Sequence, residues 1–350
     1  QHEPSRLMRA SVVIRTKDEG PRLRLTLASL AAQTAPAEVV VVNDGSSDNT
    51  PEVIGEADLP IVRIDHPSAR GRAAASNAGA EAASGDLLIF LDGDTLAGPE
   101  FVARHLALHQ ARANMVGRGE TFHLRCTRLL RDPETGAPMA GEEDRVATLG
   151  EDELSQLMVT RGQIAGDFAS IDRRAQPGIY PGAGPRRLYE LEMDALISHP
   201  DCQSLWAAAS GANQSVARAA FLDVGGMDAK LTINAHREVA LRLTRAGLRM
   251  APALGARSYH MTHRRGWRDP LSEADWETEF YARHPIPETA LLSVLWSSFS
   301  DSPALPPEAR LHSLPAFDAA ARRLTGVSGL EAVRRAHLAA CLAPEAATMA

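Results

Sequence analysis

Apolar residues fall in short, nearly unbroken runs along the first hundred positions, and each run ends in a polar or acidic cluster. Ser11-Val12-Val13-Ile14, Val39 to Val42, Val62 to Ile64 and Leu87 to Leu91 have strand length and strand composition. Between them, Leu23, Leu25, Leu27 and Leu30 mark an amphipathic stretch ending near Gln33-Thr34, and a second helical stretch passes through Asn77 and Gly79 to Ser84. Alternating strands and helices, with strands apolar on both faces, predict an α/β fold: a mostly parallel sheet covered by helices on both sides. No Gly-x-Gly-x-x-Gly follows the first strand, so the dinucleotide fingerprint is missing.

The pattern loosens after residue 110. From Gly117 to about Gly150 the chain carries Asp132-Pro133-Glu134-Thr135-Gly136 and Gly141-Glu142-Glu143-Asp144, turn and solvent-face signals that read as an excursion from the core. Residues 176–186 are too rich in Pro and Gly for regular structure, which fits a loop over a site or a passive connector equally well. Towards the end, prolines at 287, 306, 307 and 315 break the chain into helical pieces over 289–299, 316–324 and 330–342. These are amphipathic enough to form a helical extension packed on the preceding lobe, or on a second copy in a homodimer.

Composition narrows the choices. The 350 residues can bury a large core, and length alone favours two lobes. A net charge of -7 with 23% charged residues argues against a nucleic-acid surface, which needs a basic footprint. No apolar run approaches the ~20 residues of a spanning helix, and the start lacks a signal-peptide pattern, so a soluble, cytoplasmic protein is expected. Cys126, Cys202 and Cys341 are isolated, which indicates neither a disulfide framework nor a zinc site.

The chemistry concentrates where the fourth strand ends, in Leu91-Asp92-Gly93-Asp94. Two carboxylates this close repel each other unless a cation lies between them, and hard oxygen ligands suit Mg²⁺ or Mn²⁺ bridging a diphosphate. The strand ends of an open α/β sheet are where ligands bind. Three more clusters precede it in order: Asn43-Asp44-Gly45-Ser46 after the second strand, Arg70-Gly71-Arg72 in a loop, and Asn77-Ala78-Gly79 on a helix.

This set resembles the nucleotide-binding half of a GT-A glycosyltransferase of family 2. The resemblance implies a GT-A (Rossmann-like) domain whose nucleotide-sugar half covers residues 10–115 and whose acceptor half covers 116–270, followed by the helical extension over 285–350. It further implies that Asp44 hydrogen-bonds the nucleobase with Thr16 and Arg72 nearby, that Asp92 contacts the ribose or an outer water, and that Asp94 ligates the metal. Family members often carry Arg just before the helix Asn; Ser76 stands there instead, with Arg70 or Arg72 able to compensate. The donor implied is a nucleotide sugar, UDP-linked ahead of GDP-linked, with Mn²⁺ or Mg²⁺ as cofactor and an unidentified small molecule, glycan or peptide as acceptor.

Ser210-Gly211-Ala212-Asn213-Gln214-Ser215 and Val224-Gly225-Gly226-Met227-Asp228 resemble the family's acceptor-side segment. There the family presents Glu-Asp at a helix start, with the Asp as general base of inverting members, but this chain has Ala235-His236. An inverting transfer needs a base within hydrogen-bond reach of the attacking hydroxyl. His236 and, two residues on, Glu238 are the candidates, and on a helix they face different ways. Loss of the pair also admits a retaining mechanism or a degenerate nucleotide-binding module. A nucleotidylyltransferase is disfavoured, since no Gly-rich, Lys-bearing opening is present. A late histidine completes the metal site in many GT-A enzymes. His260 and His263 qualify, and in an extended strand positions three apart face opposite ways, so one alone is expected to reach the site. His263 is preferred because Arg264 follows and can neutralise diphosphate charge.

Overall fold

In the computed structural model, residues 7–177, 188–263, 275–299 and 303–343 are described. Strands β1 (Ala10–Thr16), β2 (Glu38–Asp44), β3 (Ile61–His66) and β4 (Leu87–Asp92) lie where the apolar runs predict them and pair in parallel. Further along the chain come β5 (Thr95–Ala97), β6 (Met115–Leu124), β7 (Leu130–Asp132), β8 (Ala137–Pro138), β9 (Gln176–Pro177), β10 (Gln214–Ala217) and β11 (Arg249–Met261). One sheet runs in the order β3, β2, β1, β4, β10, β6, β11, β5, with β9 on β6, while β7 and β8 form a separate hairpin. Strands from both sides of the expected boundary near residue 115 therefore share one sheet.

The unbroken apolar runs are explained by burial on both faces. Along β4, Leu87, Ile89 and Leu91 pack with Leu23, Leu27 and Phe101 from the helices Gly20–Ala31 and Phe101–Ala111. Leu88 and Phe90 face the other way, into a larger core shared with Phe221, Trp206 and Val239. That second core also receives the C-terminal helices Pro287–Ser297, Leu314–Arg323 and Leu330–Leu342 through Leu291, Phe317 and Val333. The helical extension is thus packed on the chain's own sheet. Among the described residues, no helix is long and apolar enough to cross a membrane.

One expectation needs correcting. Residues 115–124 do not leave the core; they form β6, parallel to β11 and antiparallel to β10, and the excursion begins only after Leu124. The glycines and polar residues that disguise this strand answer close approaches. A Cβ on Gly117 would lie 2.4 Å from Ser215 Oγ, and one on Gly119 would lie 2.1 Å from Asn213 Oδ1. Between them Arg118, 3% exposed, donates from Nη2 to Glu192 Oε2 at 2.8 Å. The other oxygen of Glu192 accepts from Arg237 Nη2 at 2.7 Å, so one buried carboxylate holds two buried guanidiniums.

The family-like motifs on this side are structural. Asn77 brackets Met227, accepting from its N–H at 2.8 Å and donating to its carbonyl at 2.7 Å, which ties the helix Arg72–Ala82 to the Gly-Gly-Met-Asp turn. Gly79 lets that helix lie on the sheet, because a Cβ there would fall 2.4 Å from Val13 Cγ1. Asn213, fully buried, donates to the carbonyl of Ala256 and to Ser258 Oγ, each at 2.9 Å.

Asn213 Oδ1 also meets His105 Nε2 at 2.8 Å, and Ser215 Oγ meets His105 Nδ1 at 2.8 Å and His109 Nε2 at 2.9 Å. Burial depresses these imidazoles to about 3 for His105 and about 4 for His109. An unfolded histidine titrates near 6.5, so on acidification the unfolded chain takes up protons that the native state refuses. Stability should hold above about pH 6.5 and fall as the pH drops towards 4. Melting temperatures across pH 5–8 measure this, and His109→Gln should flatten the slope. An unchanged slope in that variant would remove His109 from the explanation.

Candidate active site

The order β3, β2, β1, β4 reverses direction at β1, and a cavity of about 1160 Å³ opens at the carboxyl ends of these strands. This is the topological switch point at which open α/β sheets bind ligands. The loops after β1 and β2 are clipped together at its mouth: Asp18 Oδ1 accepts from Ser47 N–H at 2.6 Å, and Asp48 Oδ2 accepts from Gly20 N–H at 3.0 Å. Gly45, at φ +71°, makes the turn after Asp44, where a Cβ would lie 2.5 Å from the nitrogen of Ala69.

Asp44 lines the cavity and organises the neighbouring loop. Its Oδ1 accepts from Arg70 N–H at 2.8 Å and meets His66 Nδ1 at 2.7 Å, and its Oδ2 accepts from Gly71 N–H at 2.9 Å. Burial alone would raise its pKa, but these hydrogen bonds outweigh it and hold the carboxylate below its usual range. Arg72 lines the cavity with its side chain exposed, whereas Arg70 supplies its backbone N–H and leaves its side chain in solvent. Thr16 is buried and donates from Oγ1 to Glu19 Oε2 at 3.3 Å.

At the end of β4 the two aspartates have different partners. Asp92 faces Arg15 across the parallel pair and accepts from its Nε at 2.8 Å. Arg15 also donates to Ser76 Oγ at 3.2 Å, at the position just before the helix Asn. Asp94 is 6% exposed, and its Oδ2 lies 2.8 Å from His263 Nε2 and 3.2 Å from His260 Nε2. Burial favours the neutral acid, yet the two imidazoles hold Asp94 well below the usual carboxylate range.

Both histidines therefore reach Asp94, contrary to the expectation that one alone would do so. The alternation rule fails because β11 ends at Met261 and the chain leaves the strand before His263. Arg264 lies outside the described residues.

Glu19 was not singled out by the sequence. It lines the cavity between the first helix and the Asp-x-Asp turn, and a Cβ on Gly93 would lie 2.8 Å from its Oε2. Burial, together with the negative charges of Asp94 and Asp92, pushes its carboxyl well above the usual range. Arg15 neutralises Asp92 and the histidines face Asp94, but Glu19 has no arginine, lysine or histidine within 4.0 Å among the described residues. The strand ends thus crowd three carboxyl groups together, a mutual repulsion that a cation would relieve.

The residues present fit such a cation. One oxygen of Asp94 and one nitrogen each of His260 and His263 lie within 4.8 Å of one another. Two imidazoles and a carboxylate form a mixed nitrogen and oxygen donor set suited to first-row divalent ions.

Neither candidate base from the helix Ala235–Arg245 lines this cavity. Glu238 is 2% exposed and turned away: Arg242 Nε donates to its Oε1 at 2.7 Å, and His284 Nε2 meets the same oxygen at 2.8 Å. His236 lies behind Gly211, and its Nε2 accepts from Arg237 Nη1 at 2.9 Å. Burial, then Arg237 and Arg15, depress its pKa well below the normal imidazole value, so it is a poor proton acceptor where it stands.

Residues 11–127 match the family described as Glycosyl transferase family 2. Over 113 residues the chain is 36% identical to the uncharacterized glycosyltransferase YfnE of Bacillus subtilis, covering 31% of this chain and 29% of that protein. Over 109 residues it is 43% identical to validoxylamine A glucosyltransferase of Streptomyces hygroscopicus subsp. jinggangensis, covering 29% of this chain and 26% of that protein. The matched segments span less than a third of these relatives. In fold, the chain is similar to the crystal structure of S. aureus TarS 1-349 in complex with UDP-GlcNAc, with a TM-score of 0.51 at 15% identity over 81% of this chain and 67% of that one.

Proposed function

We propose that this chain, family 2-like in sequence over residues 11–127 and GT-A in fold, is a metal-dependent glycosyltransferase that takes its sugar from a nucleotide-diphosphate donor. The observation that carries this reading is the convergence of Asp94, His260 and His263 at the strand ends, inside a cavity large enough for a nucleotide sugar. UDP is the preferred nucleotide, in keeping with the UDP-GlcNAc complex of the structural neighbour.

Each wall of the cavity has a task. The Asp44 loop, stiffened by its bonds to Arg70 and Gly71, takes the nucleobase, with Thr16 at its edge. Asp92, oriented by Arg15, keeps one oxygen for the ribose. Asp94, His260 and His263 hold the cation, which when bound supplies Lewis acidity to the departing diphosphate. The exposed cations Lys17 and Arg72 line the same space and add charge stabilisation to the leaving group. Manganese is preferred over magnesium, because two of the three protein ligands are imidazoles and magnesium favours oxygen.

A retaining course is the second reading. It is favoured by one observation: both side chains expected as the base of an inverting transfer lie off the cavity.

Hydrolysis of UDP-sugars without acceptor is the test. With Mn²⁺ the protein should release UDP from at least one UDP-sugar, more slowly with Mg²⁺ and not at all in excess chelator. Binding of UDP with no release from any UDP- or GDP-sugar would instead identify a degenerate nucleotide-binding module. The anomer of the free sugar first released with UDP, read by NMR before it mutarotates, separates inversion from retention.

A further inference from the structure

We infer that Arg22 is a positioning residue of the cation site, holding the turn that brings His260 and His263 to the same oxygen of Asp94. The inference rests on the metal-dependent reading above. Arg22 lies in the first turns of the helix Gly20–Ala31 and is 6% exposed. It donates from Nε to the carbonyl of Met261 at 3.1 Å and from Nη2 to that of Thr262 at 3.5 Å, the two residues between the histidines. Nη2 also donates to the carbonyl of Leu130 at 2.7 Å, and Nη1 to that of Arg131 at 2.9 Å.

All four acceptors are neutral backbone oxygens from two segments far apart in sequence. A strand that continued past Met261 would keep its carbonyls in the sheet ladder and aim His263 away from His260. Leaving the ladder at full burial leaves those carbonyls in need of donors, since Met261 and Thr262 are both 0% exposed; Thr127 Oγ1 donates to that of Thr262 at 3.0 Å, and Arg22 supplies the donor for that of Met261. The guanidinium fork supplies several directional donors from one rigid plane, which a lysine cannot do. Burial depresses the pKa of Arg22, and the nearby Asp94 and Glu19 favour its charge. The same guanidinium fastens the β7–β8 hairpin, whose Thr135 and Met139 side lines the cavity, to the histidine turn. Cation ligands and cavity wall are therefore held by one side chain, which borders the cavity while its guanidinium bonds backbone carbonyls.

The test compares wild type with Arg22→Lys and Arg22→Met, reading Mn²⁺ affinity of the free protein by the loss of the free-ion paramagnetic signal. Outer partners of metal ligands typically cost about 10- to 100-fold in affinity when lost, and that weakening is expected for both variants. Melting temperature and metal-free UDP affinity serve as controls for the fold and the nucleotide pocket. Saturating Mn²⁺ should restore most of the variants' turnover. A folded variant that binds Mn²⁺ as tightly as wild type overturns the inference, and so does loss of the fold in both variants, which would make Arg22 purely structural. If wild type itself binds no Mn²⁺, the metal-dependent reading has failed, and this inference falls with it.

Discussion

Asp94→Asn should lower donor turnover by roughly 10³-fold, about 4 kcal/mol of barrier, in a protein that still folds. The amide fits the same space, so the fold is not at issue. What goes is the charge: Asp94 is the buried carboxylate that both imidazoles face, at 2.8 Å and 3.2 Å. With asparagine the site keeps two neutral nitrogens and one neutral oxygen, too weak a donor set to hold a divalent ion against water. Steady-state kinetics at several Mn²⁺ concentrations checks it. Wild-type turnover in this variant would move the metal, or the need for one, elsewhere.

The second large effect concerns stability. Glu192→Ala should destabilise the protein by about 3–5 kcal/mol in denaturant titration, because it strips the shared carboxylate from two buried guanidiniums. Arg118 and Arg237 are 3% and 5% exposed, and both bond Glu192 directly. Arg237 keeps its stacking over Trp296, 4.5 Å from the ring centre, which offsets little of a lost charge pair. The exposed pair Arg104–Glu100 is the control. Glu100→Ala should change stability by less than about 1 kcal/mol, as solvated ion pairs do. Equal effects at the two sites would mean that the buried cluster is solvated in the native state.

Much of this was legible in the residues, and the exceptions share a cause. The strands β1 to β4 could be read because burial on both faces demands apolar runs, and Asp94 because it stands just past the end of one of them. β6 could not, since its sequence records what approaches the strand: glycines where Ser215 and Asn213 come close, and an arginine where Glu192 lies beneath. Asn77 and Asn213 look like binding residues in a motif, yet their amides are consumed by backbone groups of Met227 and Ala256.

Side-chain direction was the harder quantity. Position at a helix start suggested His236 and Glu238 as bases, but whether that start faces the cavity depends on its contacts with Glu192, Gly211 and His284, none close in sequence to the Asp-x-Asp motif. The histidine pair was hidden by the assumption of a continuous strand. Arg15 had a readable signal, since the penultimate residue of β1 must face the last residue of β4 once the two are paired. Glu19 had none beyond its place just before the first helix.

The most direct measurement is calorimetric titration of UDP into wild type and Asp94→Asn, each with Mn²⁺ and with chelator. Wild type should bind UDP markedly more tightly with Mn²⁺, and the metal's contribution should vanish in Asp94→Asn, whose affinity then matches that of the chelated wild type. Equal UDP affinity in all four titrations, or no binding of UDP or GDP at all, would contradict a cation held by Asp94, His260 and His263 beneath a nucleotide diphosphate.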